Sequence, residues 1–260
     1  MRVTSLGFRT DVTLRILEGA EVTDRGDHLV VRTPDNPDFW WGNFLLLARV
    51  PRPGEAGGWL ARFAEEFPAA RHVALGVDTA DGSTELPPDL AAAGLQVERA
   101  AVLTAAEVRP PGRVNTDAAV RPLGSDADWR QSVDLALRCS DAGDETGYLQ
   151  RRAVARRRMA RAGIGAWFGA FDRSRLLAQL GLFDVGNGCA RYQHVETDPA
   201  ARRRGLAGTL VWHAGRYGRE VLGTRMFVIV ADPADEAIRV YRAAGFADRQ
   251  GQLSLERTPR

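Results

Sequence analysis

The sequence from residue 193 to residue 210 reads Gln193-His194-Val195-Glu196-Thr197-Asp198-Pro199-Ala200-Ala201-Arg202-Arg203-Arg204-Gly205-Leu206-Ala207-Gly208-Thr209-Leu210. Its pattern predicts a strand ending near Thr197, a short loop with three arginines, and a helix with apolar residues at helical spacing. The first N–H groups of a helix lack acceptors within it, and the helix dipole adds positive charge there. Gly205 lets a ligand approach the backbone closely. The stretch therefore predicts an anion site, suited to a pyrophosphate.

Two segments carry a family resemblance. The pattern Arg202-x-x-Gly205-x-Ala207 after a strand resembles the acyl-CoA loop of the GNAT N-acetyltransferases. Ile238-Arg239-Val240-Tyr241-Arg242-Ala243-Ala244-Gly245-Phe246 resembles the Ala-x-x-Leu-Tyr-x-x-x-Gly-Phe segment late in GNAT domains. The loop alone is equally typical of a basic turn with solvated arginines. Both motifs in the right order, with a strand between them, favour the family for residues 117–257.

Length and composition limit the class of protein. The 260 residues, with 45% hydrophobic and 26% charged side chains, predict a soluble globular protein of one large domain or two ordinary ones. The sequence has no apolar run long enough to cross a membrane and no secretory leader pattern. The two cysteines, Cys139 and Cys189, have no metal or redox spacing. We therefore expect free thiols, no metal and a cytoplasmic location.

The charge is unevenly distributed along the chain. All 35 basic residues are arginine, and the formal net charge is +2. Residues 1–113 contain 12 arginines against 16 acidic residues, so the remainder, with 23 against 17, is the basic part. This asymmetry fits a polyanionic small molecule such as coenzyme A, although it also fits a weak nucleic-acid surface.

A helix near residues 148–161 contains six arginines: Arg151, Arg152, Arg156, Arg157, Arg158 and Arg161. They could form a nucleic-acid patch, a surface for an acidic substrate, a face that docks the first domain, or a solvated helix face. The solvated face is the usual case. We expect neither a nucleic-acid nor a membrane partner, and the oligomeric state stays open.

The first 112 residues predict a degenerate copy of the same fold. Strands are indicated at 12–17, at 29–33 and at 39–50, followed by helix, strand, helix and strand in the order of the second half of a GNAT domain. The loop at 51–58 has two prolines, which lack N–H groups, and an acidic Glu55. It is not expected to bind coenzyme A. Trp40 and Trp41 are interpreted as packing residues rather than a ligand platform.

The predicted fold class is α/β (α+β), with two GNAT-like acyl-CoA N-acyltransferase domains. Each would be a mixed, mostly antiparallel sheet flanked by helices. The predicted domains are 1–112, degenerate and GNAT-like, and 117–260, catalytic. Residues 108–116, with two prolines and a glycine, are predicted to be an extended linker between the two domains.

The resemblance also implies a cofactor and its contacts. Acetyl-CoA, or another acyl-CoA, would be the co-substrate. Its pyrophosphate would lie on the loop and the start of the following helix. Its pantetheine arm would run along the strand that ends near Thr197, which the family splays from the next strand. The residues implied to bind the cofactor are Val195, Thr197, Arg202, Arg203, Arg204, Gly205, Leu206, Ala207, Gly208 and Tyr241.

Acyl transfer needs a base for the amine and an acid for the departing thiolate. By resemblance, Tyr241 is the candidate acid, and the alternative is that it only packs below the cofactor. Glu196 is the first candidate base and His194 the second. Alternatively, Glu196 pairs with a loop arginine and His194 is a satisfied histidine of the sheet. His194 would share a face with Glu196 unless a bulge intervenes.

The resulting functional hypothesis is an N-acetyltransferase that moves an acetyl group from acetyl-CoA to a primary amine by direct attack in a ternary complex. A catalytically silent coenzyme A sensor and a nucleic-acid-binding protein are the alternatives. A small-molecule acceptor is expected rather than a protein. The acceptor pocket is expected near Ser140–Tyr148, with Trp40 and Trp41 as further candidates.

Overall fold

The computed structural model describes residues 1–82, 84–140 and 146–257, and it divides the chain into two compact units. The first unit comprises Met1–Val102 together with Arg249–Arg260, and the second comprises Leu103–Asp248. The predicted limits, 1–112 and 117–260, differ from these units. The segment predicted as a linker lies in the second unit, and the residues from Arg249 onward lie in the first.

The elements of the first 105 residues are α1 (Leu6–Glu18), β1 (Glu21–Asp24), β2 (His28–Arg32), β3 (Phe44–Leu47), α2 (Ala56–Glu66), β4 (Val73–Val77), α3 (Pro88–Ala92) and β5 (Gln96–Ala105). In the first unit β1, β2 and β3 pair antiparallel in that order, and β3 pairs parallel with β4. Successive residues of β3 face opposite sides of the sheet. Phe44 packs in a cluster with Phe8 of α1, and Leu45 packs in a cluster with Trp59 of α2. The sheet is therefore covered on both faces, which explains its continuously apolar strands.

Two predictions for this region are wrong. Residues 12–17 lie in α1 rather than in a strand. The long strand predicted at 39–50 is limited to Phe44–Leu47, after a single 3-10 turn at Trp40–Gly42. The reason for the helix is tertiary, because the Asp78 carboxylate accepts hydrogen bonds from the N–H and hydroxyl groups of Thr4 and Ser5 at its start.

The later elements are β6 (Ala119–Pro122), α4 (Asp126–Cys139), α5 (Thr146–Arg161), β7 (Gly165–Asp172), β8 (Arg175–Asp184), β9 (Cys189–Thr197), α6 (Leu206–Glu220), β10 (Met226–Ala231), α7 (Ala237–Ala243) and β11 (Ala247–Arg257). In the second unit β6, β7, β8 and β9 pair antiparallel, and β9 pairs parallel with β10. Trp167 of β7 contacts α5, and its neighbour Phe168 contacts Tyr217 of α6. Because neighbouring strand residues point to opposite faces, α5 and α6 cover opposite sides of the sheet.

The strand β11 pairs antiparallel with β4, from Leu253 opposite Val77 to Arg257 opposite Val73. It therefore completes the first unit's sheet, although it is the last strand in the sequence. In each unit, a strand, loop, helix and parallel strand follow in the same order. The predicted fold class is confirmed: the structure is mixed α/β, with mostly antiparallel strands flanked by helices. Within the described residues, no helix has the length and apolar character needed to span a membrane.

Candidate active site

The second half of β9 leaves one edge open. Its parallel pairing with β10 covers three residue pairs and ends at Arg191 and Val228. β9 nevertheless continues to Thr197. Within the described ranges the two strands thus stop pairing part-way, as the family resemblance implied. Backbone groups of β9 around Val195 are left next to this gap, where an extended ligand could lie like an added strand.

A β-bulge sets which side chains of β9 face α4 and α5. Gly181 lies opposite Gln193, and Gln179 lies opposite Glu196, so β9 has one more residue than β8 between these pairs. His194 lies in this bulge with a φ of 42°. Opposite residues share a face, so Gln193 and Glu196 share one. His194 was predicted to share a face with Glu196 unless a bulge intervened. The bulge is present and shifts the register by one residue, so simple alternation no longer puts the two side chains on one face.

Glu196 lies half-buried on this face. Burial raises the pKa of its carboxyl group, while Arg156, a hydrogen bond from Gln179, and Arg152 act in the opposite direction. Gln179 Nε2 donates to Glu196 Oε2 at 2.6 Å. Within the described part of the chain, the other oxygen, Oε1, accepts no hydrogen bond. A carboxylate with a raised pKa is a better proton acceptor, so the arrangement suits a base.

Two arginines of α5 are buried beside Glu196. Arg152 is 3% exposed and Arg156 is 5% exposed. Arg156 Cζ lies 4.2 Å from the centroid of the Trp167 ring. Arg152 Nη1 lies 2.9 Å from His194 Nε2. Because a guanidinium group only donates, Nε2 must be the unprotonated ring nitrogen, and its lone pair is already engaged. The interpretation of the α5 arginines as a solvated face is wrong for these two.

The helix α6 begins with no side-chain cap. Its N-cap residue, Gly205, has a left-handed φ of 75°, and its first turn contains no acidic residue. The N–H groups of Leu206, Ala207 and Gly208 have no acceptor within the helix. Arg203 in the preceding loop is also left-handed, with a φ of 63°. This loop and helix start offer donors and a positive dipole to an anion.

The three loop arginines are exposed. Arg203 pairs with Glu236 at 3.0 Å, but both side chains are so exposed that the pair contributes little. Arg202 and Arg204 flank it. The segment predicted as a linker holds this loop in place, since Asn115 Nδ2 donates to the backbone oxygen of Arg204 at 2.9 Å.

Tyr241 is buried on α7, with 6% of its surface exposed. Burial, and then the charge of Asp235, raise the pKa of its hydroxyl, so it is protonated at neutral pH. The hydroxyl has no hydrogen-bond partner among the described residues. A Cβ on Gly208 would lie 3.6 Å from the neighbouring Val240, so α7 lies beside the first turn of α6. Within those residues, no hydrogen bond joins Tyr241 to Glu196.

The equivalent loop of the first unit is occupied by its own carboxylates. Asp89 Oδ2 accepts hydrogen bonds from the N–H groups of Gly54 at 3.0 Å and of Ala56 at 3.3 Å. Glu55 Oε2 accepts from the N–H of Arg52 at 2.8 Å. These are the donors that an incoming anion would need. The first unit thus has an internal anion where α6 of the second unit has none.

The second unit also resembles a known protein family. Residues 129–246 match the model of the acetyltransferase (GNAT) family. This range contains both motifs, the bulged strand β9 and the uncapped start of α6. The second unit carries a GNAT domain. No curated protein matches the chain significantly.

Several solved structures resemble most of the chain. A GCN5-related N-acetyltransferase from Kribbella flavida is 15% identical, with a TM-score of 0.62, over 97% of this chain and 96% of that one. A functionally unknown conserved protein from Staphylococcus epidermidis is 11% identical, with a TM-score of 0.69, over 93% and 95%. A tandem GNAT protein from the clavulanic acid biosynthesis pathway is 14% identical, with a TM-score of 0.54, over 88% and 81%. At these identities the likeness shows the fold alone.

The GNAT domain thus brings Glu196 and His194 into one cluster with the buried arginines of α5. It places the predicted cofactor residues along the β9 edge and at the start of α6. Sequence reasoning missed Gln179, which holds Glu196. The available signal was a single amide within the apolar strand β8.

The predicted acceptor region, Ser140–Tyr148, is only partly described, because residues 141–145 lie outside the described residues. Trp40 and Trp41 both take part in packing within the first unit: Trp40 stacks on His72, and Trp41 Nε1 donates to Glu256.

The described chain contains no group of histidine, cysteine or acidic residues that could hold a metal ion.

Proposed function

We propose that this protein is an N-acetyltransferase that transfers an acetyl group from acetyl-CoA to a small-molecule primary amine. The GNAT domain supports acyl transfer in general. The uncapped start of α6, directly after a strand with an open edge, is the single observation that supports a coenzyme A ester in particular. A pyrophosphate would meet the free N–H groups, and the pantetheine amides could pair with the edge of β9.

Different parts of the cofactor would contact β9 and the loop that follows it. Val195 and Thr197 would contact the pantetheine arm through their backbones. The loop Arg202–Arg204 and the helix start at Gly205–Gly208 would contact the pyrophosphate. The internal Asp89 carboxylate supports a first unit that does not bind coenzyme A and is a degenerate copy of the same fold.

In the proposed reaction, the amine attacks the thioester carbonyl carbon directly in a ternary complex. Glu196 accepts a proton from the amine, through Oε1 or a water molecule. The tetrahedral intermediate then collapses, the carbon–sulfur bond breaks, and Tyr241 protonates the departing thiolate. Glu196 is favoured over His194 as base because Arg152 already engages the Nε2 lone pair of His194.

Two measurements test this proposal. Acetyl-CoA should raise the melting temperature of the protein, since a ligand that binds only the folded state stabilises it. Thiol release should then accelerate when members of a panel of amino acids, polyamines and amino sugars are added. Stabilisation without any thiol release would favour the silent coenzyme A sensor. Absence of stabilisation by acetyl-CoA would contradict the proposal.

A further inference from the structure

A buried network ends at the proposed base. Gln179 in β8 is completely buried, with 0% of its surface exposed. Its Oε1 accepts from Ser132 Oγ at 2.5 Å and from Trp167 Nε1 at 3.0 Å. Its Nε2 donates to the backbone oxygen of Ser132 at 2.9 Å and to Glu196 Oε2 at 2.6 Å. A carboxamide has two donors and two acceptor positions, so every one of them is engaged.

Two hydrogen bonds determine the orientation of the Gln179 amide. The indole N–H of Trp167 can only donate, so it must face Oε1 of Gln179. The backbone oxygen of Ser132 can only accept, so it must face Nε2. The remaining N–H of Gln179 therefore points at Glu196 and requires an acceptor there. The network comes from three elements, α4, β7 and β8, and each of the three side chains is nearly or fully buried.

We propose that Gln179 is a positioning residue, which clamps Glu196 Oε2 so that Oε1 is presented to the amine of the acceptor. This inference rests on the proposed function. The amide reaches Glu196 only because the bulge in β9 brings the two residues opposite each other on one face. A carboxylate held at one oxygen keeps a single orientation, and proton transfer depends strongly on such alignment.

Replacement of Gln179 by methionine tests the proposal, because the side chain keeps its approximate volume and loses the N–H. We expect kcat to fall about 10-fold or more, since a hydrogen bond to a charged group is lost. The acid limb of the pH–rate profile should move to higher pH, because the lost hydrogen bond favoured the charged carboxylate. The KM for acetyl-CoA should stay close to that of the wild type.

A matched control is a second buried glutamine. Gln252 in the first unit is 8% exposed, and its Nε2 donates to Asp11 Oδ2 at 2.9 Å. Gln252→Met removes the same kind of hydrogen bond far along the chain from Glu196. It should lower the melting temperature without moving the acid limb. A structural role for Gln179 would give this same result in Gln179→Met.

A double-mutant cycle with Glu196→Gln shows whether Gln179 acts through Glu196. In the Glu196→Gln background, Gln179→Met should cause little further loss of kcat. A full additional loss would overturn the proposal. If Gln179→Met does not fold, Gln179→Glu keeps the shape and places a second carboxyl beside Glu196. That variant should also move the acid limb upward, and an unmoved limb in a folded variant overturns the proposal.

The titration of Glu196 by carbon-13 NMR separates this inference from the proposed function. Its pKa should rise in Gln179→Met relative to the wild type whether or not an acceptor is known. A protein that acetylates no amine but shows this rise would contradict the proposed function and leave the clamp intact. An unchanged pKa of Glu196 in Gln179→Met would contradict the positioning role of Gln179 and would not bear on the acetyltransferase proposal.

Discussion

Glu196 keeps a raised pKa although two guanidinium groups act on it. Burial of the carboxyl group outweighs the combined effect of Arg156, the Gln179 hydrogen bond and Arg152. The sequence could identify Glu196 as a candidate, because it ends the strand before the cofactor loop. It could not show what holds the side chain, since Gln179 and Ser132 are distant in the sequence and meet only in the folded chain.

The first prediction concerns the pH dependence of the reaction. A raised pKa keeps Glu196 protonated to higher pH, so the rate should fall on acidification through a pKa above the ordinary glutamate range. Glu196→Gln should remove this acid limb and lower kcat about 100-fold. Initial rates from pH 5 to 9 at saturating acetyl-CoA measure both effects. Glu220→Gln, at an exposed position of α6, is the control, and an acid limb that persists in Glu196→Gln would exclude Glu196 as base.

The second prediction concerns Tyr241. Burial keeps its hydroxyl protonated, as an acid must be before it donates. Tyr241→Phe should lower kcat about 100-fold while the Kd for acetyl-CoA stays close to that of the wild type. Tyr217→Phe, at a half-buried position on α6, is the matched control. Equal rates in wild type and Tyr241→Phe would reduce Tyr241 to a packing residue.

At the scale of elements, the start of α6 was predictable because its signals are local. The arginines, the glycine and the apolar spacing all lie within one short stretch. The start of α1 was not, because Asp78 caps it from 73 residues away in sequence. The bulge in β9 could not be predicted for the same reason, because nothing in the sequence of β9 fixes its register with β8.

The third prediction tests the loop before α6. The double variant Arg202→Ala/Arg204→Ala should raise the Kd for acetyl-CoA about 10-fold or more, since charge-assisted contacts to the pyrophosphate are lost. The salt dependence of binding should also weaken. Isothermal titration calorimetry measures both. Arg216→Ala removes an exposed arginine that pairs with Glu220 within the same helix and should leave the Kd unchanged. An unchanged Kd in the double variant would show that the loop is not the pyrophosphate site.

At the scale of the whole molecule, both units contain a strand, a loop, a helix and a parallel strand in that order, and the two loops differ in what their N–H groups contact. The sequence predicted a degenerate first copy without an anion site, on the basis of the two prolines and Glu55 in its loop. It did not reveal the Asp89 carboxylate, which comes from α3. Nor did it assign the last strand, because a short apolar alternation does not specify which sheet it joins.

The fourth prediction is that one chain binds one molecule of acetyl-CoA. The donors of the first unit's loop are already engaged by Asp89 and Glu55. Calorimetry should give a stoichiometry of one acetyl-CoA per chain. The Arg202→Ala/Arg204→Ala variant should bind more weakly at that single site and show no second site. Asp89→Asn should lower the melting temperature but add no second site. A stoichiometry of two would contradict the assignment.

The position of β11 in the chain has a consequence for synthesis. Residues leave the ribosome in order, at about 5–20 per second, and domains generally fold as they emerge. The whole of Leu103–Asp248 emerges before the strand that pairs with β4. The unit that is translated first is therefore completed last, and until Arg249 and its successors appear, β4 presents an open edge to neighbouring nascent chains.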